Sequence, residues 1–235
     1  MDRFDGKVAL VSGAAGAIGA AVADRLGAEG AAVVRADVAP GRDVVRCDVR
    51  DPNACAAAVA VAVERHGRLD VLVNVAGIGA SRLIDEVTLE EWQRVLDINL
   101  TGTFLLSQKA LPALRASRGA IVNLASVAGL RATPYNAAYC ASKAGVVMLT
   151  KSMAVELAAA GVRVNAVCPS SVDTPFLRNF TVPDGADPSL FARAASPMGR
   201  MVQPAEVAAA VAYLASDEAA TVSGTTLVID GAATA

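Results

Sequence analysis

Tyr139 and Lys143 stand four residues apart in the segment YCASK, where a helix is predicted to begin. This spacing places both side chains on one face of the helix, within a few ångströms of each other. A phenol titrates near 10, and lowering its pKa by about 2–3 units requires about 3–4 kcal/mol. A close ammonium together with an oxidised nicotinamide can supply that. Tyr139 would then exchange a proton with a substrate oxygen while hydride moves.

A glycine-rich turn, residues 12–19 (SGAAGAIG), follows a predicted strand at 8–11 and opens a predicted helix at 17–29. Glycines let the backbone turn tightly and let a pyrophosphate approach the amide groups of a helix N-terminus. The strand-turn-helix context makes the turn a candidate dinucleotide site. Its predicted cofactor contacts are Gly13, Gly16, Ala17, Ile18 and Gly19.

Asp37 lies at the end of the second predicted strand, 18 residues after Gly19. A carboxylate at this place accepts hydrogen bonds from the adenosine ribose hydroxyls and repels a 2′-phosphate. The next residue, Val38, offers no positive charge, so the sequence favours NAD over NADP. Arg35 and Arg42 leave NADP open, because either could turn toward a phosphate.

Short apolar runs alternate with longer amphipathic ones along the whole chain. The predicted strands are 8–11, 32–36, 44–47, 71–74, 120–124, 162–167 and 227–229, and the predicted helices are 17–29, 51–66, 89–97, 102–115, 139–159 and 205–215. Strands without internal alternation are buried on both faces, as in a parallel sheet covered by helices. We therefore predict an α/β, doubly wound Rossmann fold with a seven-stranded, mainly parallel sheet and helices on both faces.

The 235 residues are 54% hydrophobic and 19% charged, with a net charge of −2. These values favour one catalytic domain, residues 1–235, with the irregular stretch at about 174–204 as a substrate lid. No basic stripe indicates nucleic acid, and no segment resembles a signal peptide or a membrane span. Four scattered cysteines and a single histidine predict no metal site and a cytoplasmic protein with buried thiols.

The chain resembles the short-chain dehydrogenase/reductase (SDR) family over nearly its whole length. The resemblance rests on motifs in the family's order and spacing. They are the turn at 12–19, Asn74, Ala76 and Gly77 of an Asn-x-Ala-Gly motif, Asn99, Ser126 thirteen residues before Tyr139, and Lys143. Asp48 and Val49 resemble the family's adenine contacts, and Pro169, Val172 and Thr174 resemble the segment that holds the nicotinamide carboxamide.

The resemblance implies a role for each of four residues. Tyr139 is the general acid/base, and Lys143 binds the nicotinamide ribose and lowers the pKa of Tyr139. Ser126 hydrogen-bonds the substrate oxygen, and Asn99 holds a water that connects Lys143 to solvent. These roles agree with the chemistry expected from the residue types.

The chain departs from the family's pattern at a few places. Ala17 replaces the middle glycine of the turn, Val75 replaces a second Asn, and Ser170 replaces the glycine after the proline. Ala232 replaces the last glycine of an Asp-Gly-Gly motif near the C-terminus. None of these departures falls on the four catalytic positions.

The predicted substrate pocket is apolar, which favours a hydrophobic or alicyclic secondary alcohol or ketone. Its predicted lining is Val127, Tyr135, Phe176, Leu177 and Phe180. An acidic substrate stays open through Arg131, Arg178 and Arg193. Segments at 167–169, 172–175 and 213–218 resemble the branch of the cytosolic 3-hydroxybutyrate and sugar-acid dehydrogenases. Asn136 stands where that branch often has an arginine.

Two alternatives remain. One is an NADPH-dependent 3-oxoacyl carrier-protein reductase, which shares the four catalytic residues, and the other is a non-catalytic NAD-sensing or scaffold protein. The family also implies a homo-oligomer, a tetramer or dimer, through the helices at 102–115 and 139–159.

Overall fold

The computed structural model of the chain describes residues 2–41, 43–178, 181–187, 189–191 and 196–235. The strands are β1 (Val8–Ser12), β2 (Ala32–Asp37), β3 (Val44–Arg46), β4 (Val71–Asn74), β5 (Ala120–Leu124), β6 (Arg163–Pro169) and β7 (Thr226–Ile229). The α-helices are α1 (Ala17–Ala28), α2 (Pro52–His66), α3 (Leu89–Leu96), α4 (Gly102–Ser117), α5 (Ala137–Leu157), α6 (Pro175–Arg178) and α7 (Pro204–Ala215).

In the described part of the chain, seven strands form one sheet in the order β3-β2-β1-β4-β5-β6-β7. Every neighbouring pair is parallel. This confirms the predicted fold class and makes the sheet fully parallel. The strand order reverses between β1 and β4, and in open α/β sheets ligands bind beyond the carboxyl ends of the strands at such a point.

The core lies on both faces of the sheet, because successive side chains of a strand point to opposite sides. In β1, Ala9 and Val11 pack with α1 and α7, while Val8 and Leu10 pack with α2 and α4 on the other side. All five residues of β1 are buried. The continuous apolar runs in the sequence therefore correspond to strands covered by helices on both faces.

The element boundaries differ from the predictions where local hydrogen bonds extend or interrupt an element. The strand predicted at 162–167 runs from Arg163 to Pro169, and Tyr139 lies in the third position of α5. A π-helical segment, Asp97–Thr101, joins α3 to α4, which were predicted as separate helices. The predicted start of α2 is confirmed, since the Asp51 carboxylate accepts a hydrogen bond from the Asn53 amide.

Among the described residues of the irregular stretch at 174–204, Pro175–Arg178 form a short α-helix, α6, that was not predicted from the sequence. The Thr174 hydroxyl accepts a hydrogen bond from the Leu177 amide and thereby supports the first turn of α6. No helix in the described residues is long and apolar enough to cross a membrane. Of the four free cysteines, Cys47, Cys55 and Cys168 are buried and Cys140 is partly buried.

Candidate active site

The carboxyl ends of β1, β4, β5 and β6 meet at one edge of the sheet, and the predicted catalytic residues gather there. Ser126 follows β5 by two residues, and Tyr139 projects from the first turn of α5. A hydrogen bond joins the Ser126 and Tyr139 side chains. The Ser126 hydroxyl also accepts from the Ala128 amide at 3.1 Å, which fixes its position at the strand end.

Burial dominates the acid-base chemistry of Tyr139. Loss of solvent raises the pKa of its phenol to about 12, and the hydrogen bond from Ser126 acts in the opposite direction. Burial disfavours the charged form of any group, so a phenolate here needs further stabilisation. Lys143 was expected to lower this pKa, but within the protein chain burial is the larger effect.

Lys143 is a buried cation, with only 3% of its surface exposed. Its ammonium donates a hydrogen bond to the carbonyl of Leu124, the last residue of β5, at 2.7 Å. The Nζ atom lies 5.6 Å from the centre of the Tyr139 ring. Burial lowers the pKa of Lys143 to about 8. Among the described residues Lys143 forms no ion pair, so its charge faces the site without a carboxylate partner.

Asn99 lies fully buried in the π-helical segment and connects three parts of the site. Its Oδ1 accepts from the Ile78 amide and its Nδ2 donates to the Ile78 carbonyl, each at 2.8 Å. The same Nδ2 donates to Ser142 at 3.0 Å, and Ser142 donates to the Tyr139 carbonyl. Asn99 is therefore clamped between the loop after β4 and α5.

Gly77 marks the point where Asn99 and Lys143 approach each other. A Cβ atom at Gly77 would lie 3.2 Å from Asn99 Oδ1 and 3.5 Å from Lys143 Nζ. Glycine at this position therefore lets the loop after β4 pack closely against Asn99, beside the buried ammonium. Ile78 and Ser142 were not predicted as site residues. Ser142 could have been, because it lies inside the Tyr139–Lys143 segment, directly before Lys143.

The glycine-rich turn joins β1 to the N-terminus of α1. No side chain caps this terminus and its first turn has no acidic residue. Ala15, Gly16 and Ala17 are exposed. The Ala15 amide donates to Asp37 and the Gly16 amide to the Gly13 carbonyl, so the amides left for an anion are those of the first turn of α1, which lack an intrahelical acceptor. A helix N-terminus with uncapped amides attracts an anion such as a pyrophosphate. Partly buried Ile18 begins the helical face behind them.

Two glycines of the turn are required by close backbone packing. Gly13 has a φ of +65°, and a Cβ there would lie 2.7 Å from the Ala76 amide nitrogen. A Cβ at Gly19 would lie 2.1 Å from the Gly13 carbonyl oxygen. Gly16 tolerates a Cβ, since its nearest neighbour would lie at 3.4 Å. The turn is therefore held against the loop after β4.

Asp37 is placed directly beside the glycine-rich turn. Its Oδ2 accepts from the Ala15 amide and its Oδ1 from the Ala39 amide, each at 2.9 Å. Each oxygen keeps lone pairs for a further donor such as a ribose hydroxyl. Arg35 forms an ion pair with Asp24 on α1 at 2.6 Å, and Arg42 lies outside the described residues. Arg35, the described residue that could have bound a 2′-phosphate, is thus paired with Asp24 instead.

The Asn74 side chain, predicted as a cofactor contact, points into the core. Its Nδ2 donates to Ser107 at 2.9 Å and to Asn123 at 2.8 Å, and the residue is buried. This amide therefore ties β4 to α4 and β5. The sequence could not show this, because both partners are more than 30 residues away.

The other predicted cofactor contacts are held in different ways. Asp48 pairs with Arg50 at 2.6 Å, which lowers the pKa of that carboxyl. Val49 is buried against Gly102 of α4, and a Cβ added at Gly102 would lie 2.5 Å from Val49 Cγ2. The Thr174 hydroxyl donates to the Val172 carbonyl at 3.2 Å, so these two residues form one turn after Pro169.

The predicted pocket lining is only partly described. Val127, Tyr135 and Leu177 are partly buried, while the Phe176 side chain, Phe180 and Arg193 lie outside the described residues. The two arginines of the predicted pocket that the structure describes already have hydrogen-bond or ion-pair partners. Arg131 donates to the Ala233 carbonyl, and Arg178 pairs with Asp173 at 2.8 Å. Asn136 donates to the Pro134 carbonyl at 2.8 Å and is buried.

Comparison with known proteins identifies the family. A family model described as "Enoyl-(Acyl carrier protein) reductase" matches residues 13–234. The 3beta-hydroxysteroid dehydrogenase 1 of Eggerthella lenta is 42% identical, over 99% of this chain and 95% of the relative. The protein is a short-chain dehydrogenase/reductase. The D-threitol dehydrogenase of Mycolicibacterium smegmatis is also 42% identical, over 97% of this SDR chain and 93% of the relative.

Solved structures agree with this assignment. The 3-ketoacyl-(acyl-carrier-protein) reductase of Brucella melitensis, determined in complex with NADH, superposes with a TM-score of 0.90. It is 33% identical and covers 99% of this chain and 100% of that one. The predicted family and the prediction of an enzyme are confirmed. This SDR is an oxidoreductase, and its family binds a nicotinamide cofactor.

Replacing Lys143 with Met should stabilise the protein at neutral pH when no cofactor is added. The pKa of Lys143 is about 8 in the fold and near 10.5 when unfolded. At pH 7 both states carry the proton, and the fold bears the cost of a buried charge. The gain is up to about 3 kcal/mol. It should shrink between pH 8 and 10, where the parent loses its proton in the folded state only.

Chemical denaturation across this pH range measures the effect, with the exposed Lys151 of the same helix replaced by Met as the control. If the Lys143→Met variant is no more stable than the parent at pH 7, the buried ammonium does not lower the free energy of unfolding.

Proposed function

We propose that this SDR interconverts a secondary alcohol and a ketone by hydride transfer, with NAD as the preferred cofactor and Tyr139 as general acid/base. The observation that carries the proposal is the cluster of Ser126, Tyr139 and Lys143 at the sheet edge. A hydrogen bond joins the first two side chains, and the ammonium of the third lies 5.6 Å from the phenol ring. The uncapped N-terminus of α1 opens on the same edge.

The residues present fit a nicotinamide dinucleotide. The amides of the first turn of α1 would hold its pyrophosphate, and Asp37 would accept from its adenosine ribose. Lys143, whose ammonium lies close to Gly77, would bind the nicotinamide ribose. When bound, the nicotinamide supplies the hydride donor or acceptor, and its oxidised ring adds a positive charge.

The chain's own residues would handle the proton. Tyr139 would take the hydroxyl proton of an alcohol at Oη, or return it to a ketone oxygen. Ser126 would donate a hydrogen bond to the same substrate oxygen and stabilise the charge that develops there. The ammonium of Lys143 favours the phenolate electrostatically. Asn99, fixed by Ile78 and Ser142, would hold a water near Lys143 for exchange with solvent.

Two residues support an uncharged, apolar substrate. Val127 and Leu177 are the apolar members of the predicted lining that the structure describes, while Arg131 and Arg178 already have partners. The hydroxysteroid and threitol relatives are named for alcohol substrates. We therefore propose a neutral secondary alcohol or its ketone, ahead of a carboxylate.

A second candidate is a 3-oxoacyl carrier-protein reductase using NADPH. It is favoured by the structural similarity to the reductase of Brucella melitensis, which was determined with NADH. Asp37 opposes the NADPH part of this reading, because its carboxylate occupies the place where a 2′-phosphate would need a cation.

We also propose a cytoplasmic homo-oligomer, a tetramer or dimer built through α4 and α5. Phe104 on α4 and Met148 and Val155 on α5 are exposed apolar side chains. Together they provide a surface that a second copy of the chain would cover.

Tyr139→Phe should reduce turnover by at least about 10²-fold, because the proton donor and acceptor at Oη is lost while the ring remains. The parent is first screened for NADH or NADPH formation with neutral and acidic secondary alcohols, and for NADH or NADPH consumption with 3-oxoacyl thioesters. The substrate with the largest kcat/KM is then used for the variant. Tyr213→Phe, on α7, is the matched control and should leave kcat unchanged.

Turnover of Tyr139→Phe within a factor of a few of the parent would remove Tyr139 from the mechanism. Binding of NAD by the parent without turnover of any member of the panel would instead support the non-catalytic reading. A strong preference for 3-oxoacyl thioesters with NADPH would support the second candidate.

Asp37→Ser should shift the ratio of kcat/KM for NAD over NADP toward NADP by at least about 10-fold. The substitution removes the negative charge that repels a 2′-phosphate, and the Ala15 and Ala39 amides become free donors. Asp37→Asn, which keeps the shape and one acceptor, should give a smaller shift. An unchanged ratio in both variants would mean that Asp37 does not select the cofactor.

A further inference from the structure

Tyr135 has a backbone conformation that is rare for its side chain. Its φ is +61°, in the left-handed region that favours glycine and asparagine. The residue directly precedes Asn136, the N-cap of α5. A bulky residue is held in this region only where surrounding contacts compensate for the strain, and such outliers cluster at functional sites.

Contacts with two distant segments hold Tyr135 in place. Its carbonyl accepts from the Arg82 amide at 2.9 Å, and its hydroxyl accepts from the Asp187 amide at 2.7 Å. Its ring packs against Phe191 with centroids 5.5 Å apart and an angle of 43° between the planes. We call the described residues 181–187 and 189–191 the anchored segment.

A further contact supports the same arrangement. A Cβ atom at Gly185 would lie 3.8 Å from Leu83 Cδ1, so the anchored segment also approaches the loop after β4. Tyr135 therefore lies where this loop, the loop between β5 and α5, and the anchored segment meet.

The loop that carries Tyr135 and the anchored segment are both connected along the chain to the candidate active site. The loop that carries Tyr135 joins β5 to α5 and contains Ser126, and Tyr135 stands four residues before Tyr139. The anchored segment follows α6 and the turn after Pro169, whose carbonyl is 3.5 Å from the Ser126 hydroxyl. The position of the anchored segment is thus tied to the groups that would touch the substrate.

We propose that Tyr135 is a positioning residue that fixes the anchored segment beside the active site and thereby sets substrate affinity. The phenol hydroxyl is the attachment point, through its hydrogen bond with the Asp187 amide. The kinetic part of this inference rests on the proposed function, whereas the structural part rests on the contacts alone.

Tyr135→Phe removes only the hydroxyl and keeps the ring beside Phe191. Hydrogen exchange of the Asp187 amide, measured on the full chain without added ligand, should become at least about 5-fold faster because its acceptor is lost. With the substrate found in the screen, KM should rise about 5-fold or more, while kcat and the Kd for NAD stay within about twofold. A general loss of structure would instead change all three.

Tyr135→Asn separates the anchor from the strained backbone. Asparagine adopts the left-handed region readily, so the variant should fold with a melting temperature close to that of the parent. It lacks both the hydroxyl and the ring, so exchange at Asp187 and at Phe191 should be faster than in Tyr135→Phe. Tyr213→Phe is the matched control and should change neither exchange nor KM.

Unchanged exchange at Asp187 in both Tyr135 variants would overturn the anchor. Faster exchange with an unchanged KM would overturn the positioning role and leave a purely structural contact. If the parent turns over no alcohol with either cofactor, the proposed function fails, and the exchange rates still decide whether Tyr135 anchors the segment.

Discussion

The site depends on the burial of one ammonium group at the edge of a parallel sheet. Lys143 has 3% of its surface exposed, and its hydrogen bond to Leu124 fixes the amine at the end of β5. A charge in such a place costs stability, and the lowered pKa of Lys143 is the sign of that cost. The protein keeps the charge beside Tyr139, the phenol that we propose as general acid/base.

Several elements share the task of holding that charge beside its neighbours. α5 brings Tyr139 and Lys143 together by helical spacing, and β5 places Ser126 against Tyr139. The π-helical segment turns Asn99 inward, where Ile78 and Ser142 bind its amide. Because these contacts join different parts of the chain, the site is a product of the sheet topology and not of any single motif.

The proposed proton chemistry and the proposed pyrophosphate site share one edge of the sheet. The turn after β1 needs glycine where it packs on the loop after β4, because Gly13 has a positive φ and a Cβ there would lie only 2.7 Å from the Ala76 amide nitrogen. Asp37 accepts from the Ala15 amide and so stabilises the same turn that it would help to make selective. The proposed recognition of the cofactor and the local stability of the turn would therefore depend on the same carboxylate.

The fold could be predicted from sequence because its signals are local. Continuous apolar runs mark strands buried on both faces, and the Asp51-Pro52 pair marks a helix start. Tyr139, Lys143, Ser126 and Asn99 were predicted from spacing and resemblance, and the structure places them at one edge of the sheet. Their catalytic roles stay proposals.

Other features depend on contacts that local pattern cannot show. The Asn74 amide bonds to residues 33 and 49 positions away, so its turn into the core has no signature in its own segment. The burial that raises the pKa of the Tyr139 phenol is likewise not visible in the spacing, which reveals only the nearby ammonium. The left-handed Tyr135 is stabilised by a partner 52 residues later.

The central claim is that the fold alone keeps Tyr139 protonated and that a bound oxidised nicotinamide makes its ionisation possible. An ultraviolet difference titration of the parent against Tyr139→Phe measures this phenol directly. Without cofactor the two proteins should give the same phenolate signal up to about pH 11, because the pKa of Tyr139 is raised to about 12. With saturating NAD⁺ an extra ionisation should appear in the parent at least about one unit lower. An extra ionisation near the ordinary value of about 10 without cofactor, or no change on adding NAD⁺, would contradict the account.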